Sequence, residues 1–177
     1  MMLLQVKVKP AVEPVSLVEL KEYLRVSCDN EDILLKQLIA AARRYCEEYQ
    51  HRAYMKQTLE LFCMKNACVE LPRSEHLQEV VSVETYEGVP LTDYSVVRNL
   101  NAMLIFNGRN DAGGYIRVKY ITGVDAAGDV EENVKLAIMQ LACHWYENRL
   151  PVTDGRTVAE MPYSVKALLA PGEVVTI

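Results

Sequence analysis

Few residues in this chain could do chemistry. Its three histidines are His51, His76 and His144. His144 follows Cys143 with Glu147 close behind, a set of types able to supply a thiol nucleophile, an imidazole base and a carboxylate. On a helix, however, adjacent side chains point about 100° apart, so Cys143 and His144 do not converge on one atom. A third partner would have to come from elsewhere. His51 falls at a helix end, where its charged form favours the terminal carbonyls, and His76 falls in a polar loop. The acid pairs Glu31-Asp32, Glu47-Glu48 and Glu131-Glu132 fall in helical first turns or on ion-paired faces, not in a cleft that would shift a pKa. The phosphate-loop spacings G-x-x-x-x-G-K and G-x-G-x-x-G do not occur, nor do H-E-x-x-H and G-x-S-x-G. Cys28, Cys46, Cys63, Cys68 and Cys143 make an odd count with no C-x-x-C pair. They read as small hydrophobes in a reducing compartment. No catalytic, cofactor-binding or metal-ligating residue is assigned, and no cofactor is expected.

The elements that would position any site form a single α+β domain of 177 residues. Half of the residues are hydrophobic and 24% are charged, an ordinary globular composition. The net charge of -5 argues against sequence-independent gripping of nucleic acid, which depends on Lys and Arg neutralising phosphates. Basic residues are dispersed, without the aromatic interleaving that suits single strands. Gln5, Lys7 and Lys9 interrupt the apolar start before a secretory signal could form. No apolar run approaches the ~18 residues of a membrane span. A cytoplasmic protein is the expectation.

Residues 1–14 read as an extended N-terminal arm in which 3–9 alternate as a strand would, closed by Pro10 and Pro14. Residues 15–51 read as an antiparallel helix pair. Ser16 and Glu19 form a capping box at its start, with Val15 and Leu20 as a hydrophobic staple. The second helix, starting at Asp29, carries Leu34, Leu35, Leu38, Ala42, Tyr45, Cys46 and Tyr49 on its apolar face. Arg43 with Glu47 and Arg44 with Glu48 are expected on its wet side. Residues 58–122 switch to a period of two and predict a central antiparallel sheet of about five or six strands. Residues 81–85 would return through Glu87-Gly88 to 93–97, and 102–106 would pair with 115–121. Residues 129–170 predict a long C-terminal helix over roughly 130–150, capped by Asp129 and stopped by Pro151, then a short terminal helix.

The long helix holds the only Trp. Ten tyrosines against two phenylalanines favour surfaces that become buried on assembly, since Tyr joins an apolar body to a polar tip. Trp145, Tyr146, Arg149 and Tyr163 are therefore the interface candidates. Trp145 packing on its own domain is the equal alternative.

Val15-Ser16-Leu17, Lys21, Leu24-Arg25-Val26 and Asp29 to Leu34 come first in a chain-long series of short signatures. Leu38-Ile39-Ala40-Ala41-Ala42, Leu71-Pro72 and Val80-Val81-Ser82-Val83 follow, then Val118-Lys119-Tyr120 with Thr122-Gly123. Ala137, Ile138, Leu141, His144-Trp145-Tyr146-Glu147-Asn148-Arg149, Pro162 and Leu168-Leu169 close it. In this order and spacing the whole chain resembles the head–tail connector (adaptor) family of tailed bacteriophages and prophages, also described as DNA-packaging proteins. It departs from that pattern at Gln50-His51-Arg52, where the family often has Thr-Gly-Arg, and at Ser74-Glu75-His76, which lacks a usual proline.

The resemblance implies a non-enzymatic subunit of a homo-oligomeric, dodecameric ring below the portal protein. Such a ring extends the DNA channel, meets a downstream connector or tail protein, and lets duplex DNA pass without specific binding. It implies residence at the head–tail junction of a virion, and in the bacterial cytoplasm before assembly. An acidic lumen would let DNA slide, because few phosphates find cations. The alternatives from other classes are a small cytoplasmic enzyme and a protein–protein interaction module.

Overall fold

A computed structural model describes residues 2–107, 114–148, 152–153, 156–157 and 162–172. They fall into two compact units, each drawn from two separate chain segments. The first lies within Met1–Ala11 and His51–Asp125, the second within Val12–Gln50 and Ala126–Ile177.

The first unit is built of strands β1 (Met2–Val8), β2 (Gln57–Met64), β3 (Cys68–Glu70), β4 (Leu77–Thr85), β5 (Tyr94–Val97), β6 (Met103–Phe106) and β7 (Tyr115–Thr122). They form a four-stranded sheet in the order β1-β2-β7-β4 and a three-stranded sheet in the order β3-β6-β5. All of these pairs are antiparallel. Alternation decides the faces. Leu59, Leu61 and Cys63 of β2 lie opposite Tyr120, Val118 and Ile116 of β7, so six inward side chains meet in register. From the other side Val83 of β4 lies opposite Val118. Val69 and Leu104 of the smaller sheet join the same core. The Tyr120 hydroxyl donates to the Pro72 carbonyl at 2.6 Å, and burial holds its pKa above the usual phenol range. Ser74 Oγ donates to the Leu71 carbonyl and accepts from the Ala102 amide, both at 2.6 Å. The loop 71–74 is thereby tied to both sheets, including Arg73 in its left-handed conformation.

The second unit contains α1 (Leu17–Leu24), α2 (Asp32–Gln50), α3 (Glu132–Glu147) and α4 (Tyr163–Leu169), with a short antiparallel ribbon of β8 (Val152–Thr153) and β9 (Arg156–Thr157). α1 begins with the full capping box: the Glu19 amide donates to Ser16 Oγ at 3.2 Å, and the Ser16 amide donates to Glu19 Oε2 at 2.7 Å. It ends at Arg25, whose left-handed backbone turns its amide onto the Lys21 and Glu22 carbonyls. Leu35, Ile39, Ala42 and Cys46 of α2, Val134, Ala137, Ile138 and Leu141 of α3, and Val165 and Leu169 of α4 are buried. Asn133 Nδ2 donates to the Leu168 carbonyl at 2.9 Å, and Gln50 Nε2 donates to the Leu169 carbonyl. The start of α3 and the end of α2 therefore both hold the end of α4.

The expected architecture of an N-terminal antiparallel helix pair, one sheet of five or six strands and a long C-terminal helix is corrected throughout. The principal neighbour of α2 is α3, not α1, which has only eight residues and a single fully buried one, Leu20. The strands divide between two sheets. The run 81–85 does not return into 93–97: there it makes only an isolated bridge from Glu84 to Pro90, and 94–97 pairs with β6 instead. β6 pairs with β3 and β5 instead of with β7. α3 has 16 residues and is shorter than α2 with 19. Asp129 does not cap it: a 3-10 turn over Ala127–Asp129 intervenes, and α3 starts at Glu132 without a side-chain cap. Its expected continuation through 149 and 150 lies outside the described residues. Arg43 and Glu47 are 6% and 2% exposed, so this pair lies inside and not on the wet side. Arg43 spans Glu47 and Glu13, each at 2.7 Å.

Two predictions follow from the backbone. Gly123 has φ +97°, and a Cβ there would stand 2.2 Å from the Met55 carbonyl oxygen. Gly88 has φ +86° and open space around it. Gly88→Ala should cost about 1–2 kcal/mol, the left-handed penalty alone. Gly123→Ala should cost clearly more, as chemical denaturation of both variants will show. The second concerns Ser16→Ala, which should remove about 1 kcal/mol. Glu19 is held below the ordinary carboxylate range, first by the Ser16 hydroxyl and then by the Ser16 amide. A depressed folded-state pKa adds stability above the ordinary value and loses it as pH falls through the folded value. The gap between wild type and Ser16→Ala should therefore narrow in acid, and unchanged gaps at neutral and acid pH would contradict this.

Candidate functional site

The C-terminal turns of α3 carry both the candidate chemistry and the candidate interface. Cys143 and Glu147 meet each other, whereas His144 turns to Asn148. The Cys143 thiol is pushed up by burial, then by the charge of Glu147 and by a hydrogen bond to it. That is opposite to the depressed pKa of a nucleophilic cysteine. His144 Nδ1 lies 3.3 Å from Asn148 Nδ2, which also donates to the His144 carbonyl at 2.8 Å. Its Nε2 is buried and has no partner among the described residues. Imidazole and amide thus finish the helix instead of activating the thiol. Among the described residues no group of three or more His, Cys, Asp or Glu could hold a metal ion. Nor, among them, is any helix long and apolar enough to cross a membrane.

The interface candidates are placed differently from one another. Trp145 is half-buried and meets Tyr45 of α2 edge-on, with centroids 5.9 Å apart and planes at 83°. Tyr146 is half-buried, and its hydroxyl donates to Glu31 Oε2 just before α2. These two aromatics join α3 to α2 within their own unit. Tyr163 stands at the start of α4 and is 87% exposed, with Lys166 Nζ 6.0 Å from its ring centre. Arg149 lies outside the described residues.

The sheet unit adds a group that sequence reasoning passed over. Phe62 stacks on Tyr115, with centroids 5.0 Å apart and planes at 12°, and meets Tyr86 at 6.0 Å and 64°. The ring of Tyr86 is 66% exposed and Met64 49% exposed, on the sheet face turned away from the core. The available signal was that Phe62, Met64 and Tyr115 are apolar at the alternate, outward positions of their strands. Only Arg117 and Lys119 had marked that face as wet.

No protein-family model and no curated protein matches the sequence. Solved structures do match. A chain from the neck of an empty GTA particle, computed with C6 symmetry, agrees with a TM-score of 0.80 at 17% identity, over 99% of this chain and 97% of that one. A chain from the virion of a native gene transfer agent (GTA) particle gives 0.78 at 18%, over 99% and 97%. One from the neck of the native GTA particle, computed with C12 symmetry, gives 0.68 at 18%, over 96% of each. The chain has the fold of these GTA particle chains. This likeness in fold extends over nearly the whole chain.

The thiols provide a direct check on the chemistry. Cys28 and Cys68 are exposed, Cys46 and Cys63 are buried, and Cys46 is pushed up to about 12. Alkylation of the native protein followed by mass spectrometry should label Cys28 and Cys68 first. Cys143 should lag with the buried pair, and preferential labelling of Cys143 would point to an activated thiol.

Proposed function

We propose that the chain is a structural head–tail connector subunit of a phage-like particle. It acts as one copy in a ring below the portal protein, lengthens the DNA channel, and presents a surface to the next connector or tail protein. The observation that carries this reading is the agreement in fold, at a TM-score of 0.80 over 99% of the chain, with a chain from a GTA particle neck. The C6 and C12 symmetries used for those necks support a cyclic, head-to-tail arrangement of copies. The resemblance noted in the sequence names the same kind of component independently of the coordinates.

Two physical features agree with a non-catalytic role. The clustered candidate chemistry at Cys143, His144 and Glu147 has its thiol tuned against ionisation. The net charge of -5 suits a channel that DNA traverses without being held, because tight duplex binding would require many phosphate-neutralising cations. A virion location and the absence of a cofactor belong to the same proposal.

The purified protein, added to DNA-filled heads that lack their connector, should raise both DNA retention and tail joining. No gain in either would sink the assignment. Alanine substitution of Cys143, His144 and Glu147 together should leave the gain largely intact, whereas an enzyme built on these groups would lose its activity.

A further inference from the structure

The two edges of the four-stranded sheet are treated differently. β4 forms one edge, and it is closed. Register shifts at Leu77/Glu79 and Val80/Ser82 bend it. The chain then folds back along it, with the Thr85 amide donating to the Val89 carbonyl and the Leu91 amide to the Val83 carbonyl, both at 2.8 Å. Pro90 bridges Glu84 and offers no amide to a newcomer. β1 forms the other edge, and it is open. Among the described residues β1 pairs with β2 alone, so its outer row of amides and carbonyls meets no other strand.

Met2 to Val6 run against Cys63 to Leu59 without a break, and the register shifts only between Val6 and Val8. This regular stretch contains no charge. Met2, Leu3 and Val6 are 62%, 43% and 45% exposed. Lys7 is the first charged residue, and its ammonium is engaged by Glu60 at 2.8 Å. Soluble proteins normally blunt such an edge with charge, proline, bulges or a cover. The closed edge uses three of those devices, and residues 2–6 use none.

We propose that β1 pairs with β1 of a second copy, antiparallel and centred on Leu4, joining two four-stranded sheets into one. Met2 then opposes Val6, Leu3 opposes Gln5, and Leu4 opposes its counterpart. The stretch Met2-Leu3-Leu4-Gln5-Val6 has apolar residues at 2, 4 and 6 whichever end it is read from. Leu4 packs against the hydrophobic core, so Met2 and Val6 lie on its face while Leu3 and Gln5 share the other. The faces therefore match across the two-fold axis without a slip in register. Both Lys7 residues fall beyond the paired stretch, so like charges do not meet. The contact is self-complementary, as a two-fold interface must be. Because both remaining edges are the closed β4, pairing stops at two copies and does not grow into a fibre. The pair belongs to the free chain: a two-fold contact and a cyclic ring use different symmetry operators, and this inference does not rest on the connector reading.

Light scattering of the purified protein should give a dimer. Val6→Lys places an ammonium opposite Met2 on the inner face of the joint sheet and should give a monomer with unchanged circular dichroism. Leu3→Cys/Gln5→Cys should form interchain disulfides under mild oxidation, since opposed residues of paired strands come within disulfide reach. Neither single variant should exceed the wild-type background from Cys28 and Cys68. A monomeric wild type, a dimer indifferent to Val6→Lys, or a double variant that does not cross-link would overturn the proposal. Cross-linking of Gln5→Cys alone would overturn the register centred on Leu4.

Discussion

Everything in the sheet unit depends on β7 being buried on one face and paired on both sides. Tyr115–Thr122 alternates without a break, with Ile116, Val118, Tyr120 and Thr122 inward. Because the period is two, a slip by one residue would send the whole inward set to solvent. β2 matches that alternation over its full length. β4 matches it only by inserting register shifts, which is why Val81 ends 45% exposed while Val83 is buried. The core then reaches the smaller sheet through Val69, Leu71, Ala102 and Leu104. The crossing loop is secured by buried hydroxyls of Ser74, Tyr120 and Thr122, each spent on a backbone carbonyl. Removing such a hydroxyl leaves a buried acceptor unpaired, a larger loss than the net worth of the bond itself.

The helical unit solves a different problem, since α2 must bury a face that is not wholly apolar. Arg43, Glu47 and Gln50 share that face with Leu35, Ile39, Ala42 and Cys46. Arg43 bonds both Glu13 and Glu47, so the segment before α1 is fixed to α2 by charge as well as by the burial of Val15. Breaking one side of such a buried arrangement is costly even where the complete arrangement adds little net stability. Gln50 and Asn133 satisfy carbonyls at the end of α4, a helix too short to stand without neighbours. These polar groups are accounted for by structure, and that removes them from any list of chemical candidates.

Signals confined to a few consecutive residues were legible in the sequence. The capping box at Ser16 and Glu19, the burial of Val15 and Leu20, and the inward alternation of 116, 118 and 120 all follow from local rules. What depended on long-range pairing was not legible. Nothing local says that β7 leaves its sequence neighbour β6 to lie between β2 and β4. Nothing local says that α2 prefers α3 over α1. The i,i+4 spacing of Arg43 and Glu47 looked like a solvated pair because spacing reports adjacency on a helix and not which way the face is turned. The candidate site divides in the same way. Failure of Cys143 and His144 to converge was readable from helical geometry, whereas the Tyr45 contact of Trp145 and the Glu31 bond of Tyr146 required the fold.

Among the described residues, recognition capacity stands on the surfaces. Tyr163 is presented at the start of α4, Tyr86 and Met64 lie on an outward sheet face, and β1 offers an unpaired backbone row. These features differ in what they can recognise. An aromatic ring accepts many partners by area and quadrupole, while a strand edge accepts only another extended backbone in a fixed register. The proposed connector role would draw on both: specificity of register to choose one geometry, and tolerant aromatic area to stabilise it. A nucleophilic thiol would have its pKa shifted down, toward reactivity. Here the perturbed thiols are shifted away from it, by the same burial that builds the core.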